Sequence, residues 1–282
     1  MKIGNYNVVS VETGRFALDG GAMFGVVPKT LWNRTNPADE KNRIDLALRS
    51  LLLFNKDKVI LVDTGIGQKW AEKHKDIYKI DFKKYNIENS LKKFGFTKED
   101  VTDVILTHLH FDHTGGSTFV DENGETQLSF PNATHFINKR NWEHALSPTD
   151  RDKASFVKED FYPIFEKGKL KIIEEITGVF ENIEFVISDG HTIGMQLVKV
   201  SDKENTLIYC ADLIPTSSHI PVPFVMGYDI QPLITVEEKK KVLAQAVRED
   251  WILFFEHDPI GEACKVKLEN GKFSAGERIS LN

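Results

Sequence analysis

The 282-residue chain has only two cysteines, and it has no apolar run long enough to cross a membrane. Cys210 and Cys264 are too few for a disulfide framework, which excludes the class of small domains stabilised by disulfides. The first residues contain no apolar stretch of the kind that forms the centre of a secretory signal. Together these absences predict a cytoplasmic protein that does not contact a membrane.

Basic charge is also scarce, because 42 aspartate and glutamate residues outnumber 36 lysine and arginine residues. The net charge of −6 argues against a nucleic-acid partner, since phosphate binding requires a concentrated basic face. We expect the lysines at 239–241 to form the solvated side of a helix. The sequence shows no repeats or linkers, and 41% of its residues are hydrophobic, so it predicts a single domain spanning residues 1–282.

A cluster of histidines is the most informative feature that is present. Residues 108–113 read His-Leu-His-Phe-Asp-His and directly follow an apolar run that ends at Leu106. Alternate side chains of an extended segment point the same way, so His108 and His110 can reach one metal ion together. Asp112 and His113 lie beyond that pair and are better placed to begin a second site. The spacing therefore predicts a metal site, with zinc as the default ion.

Three other apolar segments each lead into a further potential ligand. Residues 185–187 precede His191, residues 207–211 precede Asp212, and residues 251–255 precede His257. Short apolar runs of this kind are typical of buried strands. Ligands at strand ends have a rigid backbone while their side chains face a cleft. Four such ends would bring five histidines and two aspartates to one site.

These motifs, together with Val62-Asp63-Thr64-Gly65, occur in an order that resembles the metallo-β-lactamase superfamily of dinuclear hydrolases. The resemblance implies an α+β fold, an αββα four-layer sandwich whose two mixed β-sheets face each other with helices outside. It also implies two divalent metal ions per chain. The first ion would be bound by His108, His110 and His191, the second by Asp112, His113 and His257, and Asp212 would bridge both. Nitrogen and carboxylate ligands also accept iron, manganese or cobalt, so the residues alone leave the ion open.

The spacings are also similar to those of the N-acyl-homoserine lactone lactonases, a quorum-quenching branch of that superfamily. This branch implies an enzyme that hydrolyses ester bonds, in which a hydroxide bridging two metal ions opens the lactone ring. The candidate catalytic residues are Asp112, Asp212 and Tyr228. Asp212 would carry a proton to the leaving alkoxide, and Tyr228 would donate a hydrogen bond to the substrate carbonyl. One departure is Pro215, which stands where a group of these lactonases has a tyrosine.

Two segments are unusually apolar for loops. Residues 20–28 and 220–226 are rich in glycine or proline, which predicts irregular structure. They could form the walls of a pocket for the acyl chain of a small-molecule substrate, or they could be ordinary packing or the surface of a homodimer. His219 is expected near the site from the second loop. His74, His135 and His144 have no ligand-like neighbours in the sequence, and we expect them at the surface or in ordinary packing.

Two alternatives to the lactonase interpretation remain at this point. A phosphotriesterase or another ester hydrolase of the same superfamily would use the same hydroxide on a different electrophile. A metal-binding protein without catalytic activity is the alternative from another class. Structural zinc sites are closed by four protein ligands, whereas seven ligands shared by two ions leave coordination positions open for water. This ligand count favours an enzyme. Ligating histidines usually donate their other N–H to a carboxylate, so Asp63 is the candidate acceptor, although an aspartate before Thr-Gly is also typical of a turn.

The pattern also predicts several elements. Residues 44–63 form a hairpin with a turn at 55–57, and strands dominate between residues 180 and 212. A helix follows Ile87 and ends near Gly95, with a capping signal from Thr97 to Asp100. Residues 139–167 form two helices separated near Pro148. A last helix begins after Thr235, with Glu238 in the position of a capping box, and ends near Glu249.

Overall fold

The computed structural model describes all 282 residues, which form two compact units. The first unit comprises Met1–Arg15 and Leu48–Glu175, and the second comprises Phe16–Ala47 and Ile176–Asn282. Each unit contains a large mixed β-sheet together with helices. The predicted α+β class with two mixed sheets is therefore confirmed. None of the helices combines the length and apolar composition needed to cross a lipid bilayer.

The elements are numbered in chain order. The strands are β1 (Lys2–Ile3), β2 (Tyr6–Asp19), β3 (Arg43–Phe54), β4 (Val59–Val62), β5 (Asp103–Ile105), β6 (Thr118–Val120), β7 (Thr126–Leu128), β8 (Thr134–Asn138), β9 (Leu170–Ile173), β10 (Ile183–Ser188), β11 (Met195–Ser201), β12 (Thr206–Tyr209), β13 (Ile252–Phe254), β14 (Ala263–Glu269) and β15 (Lys272–Ile279). The helices are α1 (Gly20–Phe24), α2 (Lys29–Trp32), α3 (Glu72–Ile77), α4 (Ile87–Lys92), α5 (Phe111–Thr114), α6 (Lys139–Leu146), α7 (Lys158–Glu166) and α8 (Pro232–Arg248).

The sheet of the first unit has the strand order β1-β2-β3-β4-β5-β8-β9, and β2 and β3 continue into the second unit. The β3–β4 pair is the predicted hairpin, and the Asn55 side chain fixes its turn by accepting hydrogen bonds from the backbone of Asp57 and Lys58. From β4 to β9 the neighbouring strands are parallel. Because parallel neighbours end at the same edge, the residues that follow β4 and β5 lie side by side. This places Asp63 next to the segment that follows Ile105.

Three predicted features of the first unit are present. Helix α4 begins at Ile87, and the side chain of Asn86 caps it by accepting a hydrogen bond from the backbone of Asn89. The Thr97-to-Asp100 capping signal is present, although it caps a single 3₁₀ turn. The region from 139 to 167 contains two helices, but the interruption extends from Ser147 to Val157 and is longer than the proline alone predicted. Trp142 of α6 and Phe161 of α7 pack in the apolar core of this unit.

The sheet of the second unit has the strand order β10-β11-β12-β13-β14-β15, in which only β12 and β13 are parallel. The strands predicted between residues 180 and 212 are present. Tyr209 pairs with Phe254 at the ends of β12 and β13, and the two rings are stacked 5.3 Å apart. Because β12 and β13 are parallel, the segments leading to Asp212 and His257 leave the same edge of the sheet.

Two predictions about the second unit are wrong. Helix α8 begins at Pro232, which suits the first turn because proline has no N–H to satisfy there. Glu238 lies inside this helix and its carboxylate binds the segment at 188–190, so it does not cap the helix. Residues 20–28 are also not entirely irregular, because they contain α1, which the side chain of Asp19 caps.

Candidate metal centre

The first unit carries a group of four predicted ligands, His108, His110, Asp112 and His113, which we call the first ligand group. After β5 the chain bends at Thr107, His110 has an extended backbone, and α5 then begins at Phe111. Nε2 of His108 lies 3.1 Å from Nδ1 of His110, so the two imidazoles approach each other as alternate side chains of an extended segment should. The helical turn brings His113 back to the same place, with its ring centre 4.0 Å from that of His108.

In two of these imidazoles, Nδ1 lies at hydrogen-bond distance from a neighbouring side chain. Asp63 accepts hydrogen bonds of 2.7 Å from the backbone N–H and the hydroxyl of Thr107, and its Oδ2 lies 3.1 Å from Nδ1 of His113. The hydroxyl of Thr107 also lies 3.0 Å from Nδ1 of His108. Because Nδ1 of His108 and of His113 is engaged in this way, Nε2 is the nitrogen that each ring would present to a metal ion.

The second unit carries His191, Asp212 and His257, which we call the second ligand group. The carboxylate of Asp212 lies between the two imidazoles, with Oδ2 3.1 Å from Nε2 of His191 and Oδ1 3.3 Å from Nε2 of His257. Asp212 sits on a 3₁₀ turn whose first residue, Ala211, has a φ of +43°. Such strain in a residue other than glycine is concentrated at functional sites.

The imidazoles of the second ligand group are also held through Nδ1. Nδ1 of His191 lies 3.0 Å from Oδ1 of Asp229, and Nδ1 of His257 lies 2.9 Å from the carbonyl oxygen of Ala47. Both acceptors fix the tautomer that leaves Nε2 without a proton. Each Nε2 then faces one oxygen of the same carboxylate, so the group offers two imidazole nitrogens and the two oxygens of a single side chain.

The donor chemistry of both groups fits divalent ions. All seven side chains are buried, and each group combines imidazole nitrogen with carboxylate oxygen, which are ligands of zinc and of similar ions. Ligand atoms of His108 and His113, and those of Asp112 and His113, lie within 4.8 Å of each other. The two groups are therefore His/Asp metal-binding clusters.

Tyr228 and His219 lie in the second unit and belong to neither ligand group. Tyr228 is 39% exposed and directly precedes Asp229. His219 is fully buried, and both of its ring nitrogens are engaged, Nδ1 by the hydroxyl of Thr216 and Nε2 by the carbonyl of Met23. Burial lowers the pKa of His219 to about 3. His219 thus serves packing and is neutral, and it has no nitrogen left for a substrate.

The remaining histidines of the first unit lie where surface or packing residues were expected, and the exposed His74 is one of them. His135 is fully buried in β8, and Nε2 of His144 lies 2.6 Å from Oδ2 of Asp152. The lysine run, by contrast, was only partly interpreted correctly. Lys240 and Lys241 are exposed, but Lys239 is fully buried.

Asp229 is the site residue that the sequence did not indicate. It lies 38 positions from His191, and it follows an apolar loop with no periodic pattern. Only the folding of that loop against α8 brings its carboxylate to the imidazole. The apolar composition of the loop carries no information about a hydrogen-bonded partner so far along the chain.

Comparison with known proteins gives consistent results. A family model described as "Metallo-beta-lactamase superfamily" matches residues 49–257. An N-acyl homoserine lactonase of Bacillus sp. is 28% identical over 237 residues, which are 79% of this chain and 86% of that protein. The crystal structure of a probable metal-dependent hydrolase from Staphylococcus aureus is 28% identical and covers 99% of this chain and 100% of its own, with a TM-score of 0.86. The structure of AidC, a dizinc quorum-quenching lactonase in complex with a product, is 24% identical and covers 99% of this chain and 96% of its own, with a TM-score of 0.79.

Proposed function

The chain belongs to the metallo-beta-lactamase superfamily, has its fold and is a hydrolase of that superfamily, and from this premise we propose that it opens lactone rings of the N-acyl-homoserine type. The observation that carries the proposal is the Asp212 carboxylate between the Nε2 atoms of His191 and His257. A carboxylate whose two oxygens face two different imidazoles is suited to bridging two metal ions. The lactonase names of relatives with about 28% identity support the same substrate class.

We assign two divalent ions to the seven residues of the two ligand groups, with zinc as the proposed metal. The dizinc lactonase of the same fold supports this assignment. The proposal includes a single hydrolase domain. When bound, two such ions polarise a carbonyl group and lower the pKa of water toward neutrality. The chain's own residues then have to orient the ligands, bind the substrate and move one proton.

Asp212 is the proposed proton carrier. In lactone hydrolysis the water oxygen adds to the carbonyl carbon, the ring C–O bond breaks, and the leaving oxygen becomes a hydroxyl by taking up a proton. A carboxylate oxygen of Asp212 can take the proton of the attacking water and return it to the leaving oxygen, which is general acid–base catalysis. Asp112 is the other carboxylate of the centre, and we propose that it binds a metal ion together with His113.

Tyr228 and the apolar segments are the proposed substrate contacts. The partly exposed Tyr228 can donate its hydroxyl proton to a hydrogen bond with the substrate carbonyl. Segment 220–226 is joined to segment 20–28 within the second unit, because the backbone of Gly227 donates a 2.7 Å hydrogen bond to Ala22 and the Phe24 ring stacks 4.3 Å from that of His219. The exposed Val26 adds apolar surface there. An acyl chain is the substrate part that such a surface would bind.

A metal analysis combined with a pH-stat assay on butanoyl-, hexanoyl- and decanoyl-homoserine lactone tests the proposal. We expect two metal ions per chain and ring opening that is faster for the longer chains. Asp212→Asn should lower kcat by about 100-fold or more, the range of general acid–base catalysis. Asp202→Asn is the matched control, because Asp202 lies in an exposed turn of the same unit, and it should leave kcat unchanged.

The other outcomes separate the alternatives. Two metal ions without lactone turnover, but with turnover of a phosphotriester or another ester, would overturn the lactone and keep the hydrolase. A protein that binds metal and hydrolyses none of these substrates would be a binding protein. Failure to bind zinc, manganese, iron or cobalt would contradict the proposed centre itself.

A further inference from the structure

Two consecutive residues of α8, Glu238 and Lys239, each bind a different loop of the second unit. One loop, residues 188–190, directly precedes His191. The other, residues 219–224, leads to Tyr228 and Asp229. Because Asp229 holds the imidazole of His191, the two loops meet at one proposed metal ligand.

Glu238 binds the loop that precedes His191. Its carboxylate accepts hydrogen bonds from the hydroxyl of Ser188 at 2.6 Å, from the backbone N–H of Asp189 at 2.9 Å, and from that of Gly190 at 3.2 Å. Hydrogen bonds to an ionised acceptor are about twice as strong as neutral ones. Three of them on successive residues fix the backbone immediately before His191.

The same loop is packed tightly against the first turns of α8. A Cβ atom at Gly190 would lie 2.5 Å from the backbone nitrogen of Thr235 and 2.6 Å from its Cα, so only glycine allows this approach. Gln231 adds two contacts, because its side-chain amide donates to the carbonyl of Asp189 and its backbone N–H donates to the carbonyl of Gly190. The position of His191 is therefore fixed by contacts with α8 and not by strand β10 alone.

Lys239 binds the second loop from the neighbouring position. Its ammonium group is fully buried and donates to the backbone carbonyls of four loop residues: His219, Pro221, Val222 and Phe224, at 2.5, 3.0, 3.4 and 2.7 Å. Burial lowers the pKa of Lys239 to about 7, and the carboxylate of Asp229 opposes this shift. The compact ammonium group thus binds four carbonyls of the loop. It also interacts electrostatically with Asp229, the residue that orients His191.

The loop then returns to His191 itself. After Phe224 the chain continues to Asp229, whose Oδ1 lies 3.0 Å from Nδ1 of His191, and the backbone N–H of Ile230 donates to the carbonyl oxygen of His191. Glu238 thus fixes the backbone that precedes His191. The loop bound by Lys239 carries Asp229, which fixes the imidazole of His191.

We propose that Glu238 and Lys239 are positioning residues that together set the backbone and the imidazole orientation of His191, and hence its affinity for a metal ion. The proposal rests on the proposed role of His191 as a metal ligand. Residues that support ligating side chains typically contribute about 10- to 100-fold to metal affinity.

The test uses Glu238→Gln and Lys239→Met, with Glu237→Gln and Lys240→Met as matched controls. The control residues are exposed neighbours on the same helix, and Lys240 donates a 2.7 Å hydrogen bond to Glu237. Zn²⁺ titration of the metal-free protein should show about 10- to 100-fold weaker binding of one ion for the first two variants, and no change for the controls. Lys239→Arg should restore little of the Zn²⁺ affinity that Lys239→Met loses, because a planar guanidinium cannot replace a compact ammonium among converging carbonyls.

A second readout needs neither metal nor activity. Isotopically labelled histidine in the metal-free protein reports the N–H proton that His191 shares with Asp229, with His191→Asn as the assignment control. We expect this signal to shift in Glu238→Gln and Lys239→Met, while the signal of His257, bound to Ala47, stays in place. A merely structural role would lower the thermal stability without this selective shift.

The outcomes distinguish the two proposals. Unchanged Zn²⁺ affinity and an unchanged His191 signal in Glu238→Gln would overturn the positioning role, and this variant decides the matter if Lys239→Met does not fold. If the wild-type protein binds no Zn²⁺, the proposed function fails, while the histidine signals of the metal-free protein still decide whether Glu238 and Lys239 position His191.

Discussion

Oδ2 of Asp63 lies 3.1 Å from Nδ1 of His113, and both side chains are completely buried. Asp63 comes directly after β4, and His113 lies one helical turn beyond the extended segment that follows β5. The two strands are parallel neighbours, so their ends bring a carboxylate and an imidazole together across 50 residues of sequence. The pair fixes the tautomer in which Nε2 of His113 can accept a metal ion.

Replacing Asp63 by asparagine should weaken metal binding without distorting the backbone. Asp63 has a φ of +57°, a conformation that asparagine tolerates better than most residues. The amide loses the negative charge that holds His113, so we expect a loss of about 10- to 100-fold in Zn²⁺ affinity. Competition with a chelator measures it. Asp57→Asn in the exposed hairpin turn is the control, and equal affinities of the two variants would contradict the role of Asp63.

Two glycines with similar backbones should respond differently to alanine. Gly67 and Gly95 have φ angles of +68° and +84°, so alanine is strained at both positions by about 1–2 kcal/mol. At Gly67 the added Cβ would also lie 2.2 Å from the carbonyl oxygen of Gly115, whereas at Gly95 it would meet nothing within 4 Å. We expect Gly67→Ala to lose about 1–3 kcal/mol more stability in urea unfolding.

The same comparison has a second readout. Gly115 follows α5 directly, so a displacement there should also disturb the first ligand group. Zn²⁺ affinity should fall for Gly67→Ala and remain unchanged for Gly95→Ala. Equal stability and equal affinity of the two variants would show that the segment at Gly115 adjusts freely.

Lys69 should be important for the stability of the first unit. Its ammonium group donates to the carbonyls of Gly115 and Thr118 and pairs with the buried Asp160 at 3.0 Å. Lys69→Met leaves that carboxylate buried without its partner, which typically lowers the free energy of unfolding by about 3–5 kcal/mol. Lys153→Met, which breaks an exposed pair with Asp150, should change it by less than about 1 kcal/mol.

The loss in Lys69→Met should depend on pH. Burial already raises the pKa of Asp160 to about 6, although Lys69 opposes this shift. Without Lys69 the pKa rises further, and protonation then removes the unpaired charge. The stability difference from wild type should therefore shrink as the pH falls from about 7.5 to 5.5. A constant difference over this range would mean that the carbonyl contacts of Lys69 dominate over its ion pair.

His135 should make the protein less stable in mild acid. Its ring is fully buried, and burial lowers its pKa to about 3, although the backbone of Lys169 and of Ala133 opposes this shift. Between this value and the ordinary pKa of 6.5, the unfolded chain binds a proton that the folded chain does not. The contribution of His135 is therefore fully present above pH 6.5 and is lost as the pH falls, by up to about 1.4 kcal/mol per pH unit.

The variant His135→Leu isolates this effect. It has no proton to bind in either state, so its free energy of unfolding should fall less steeply between about pH 6.5 and 5 than that of the wild type. Urea unfolding of the metal-free proteins at several pH values gives both slopes. Parallel slopes would show that His135 is protonated in the folded protein.

The sequence determined the local parts of the metal centre. The spacing of His108, His110 and His113 follows from an extended segment and one helical turn, and both periodicities can be read from the chain. The strands that precede Asp212 and His257 were equally clear, because short apolar runs bounded by polar residues specify buried strands. For the same reason the hairpin at residues 44–63 was predicted correctly, whereas the α+β class followed from the resemblance to a known superfamily.

The tertiary structure decided which distant residues complete these parts. The sequence alone does not distinguish Lys239 from Lys240. Lys239 is buried against loop carbonyls and Lys240 is solvated, because α8 begins at Pro232 and the two residues therefore lie on different faces of the helix. The same helix brings Glu238 to the segment before His191, and the loop held by Lys239 delivers Asp229 to its imidazole. Ligand types and their local spacing are properties of the sequence, because they depend on neighbours along the chain. The orientation of those ligands depends on hydrogen bonds between segments that lie from 38 to 210 residues apart, and only packing brings such segments together.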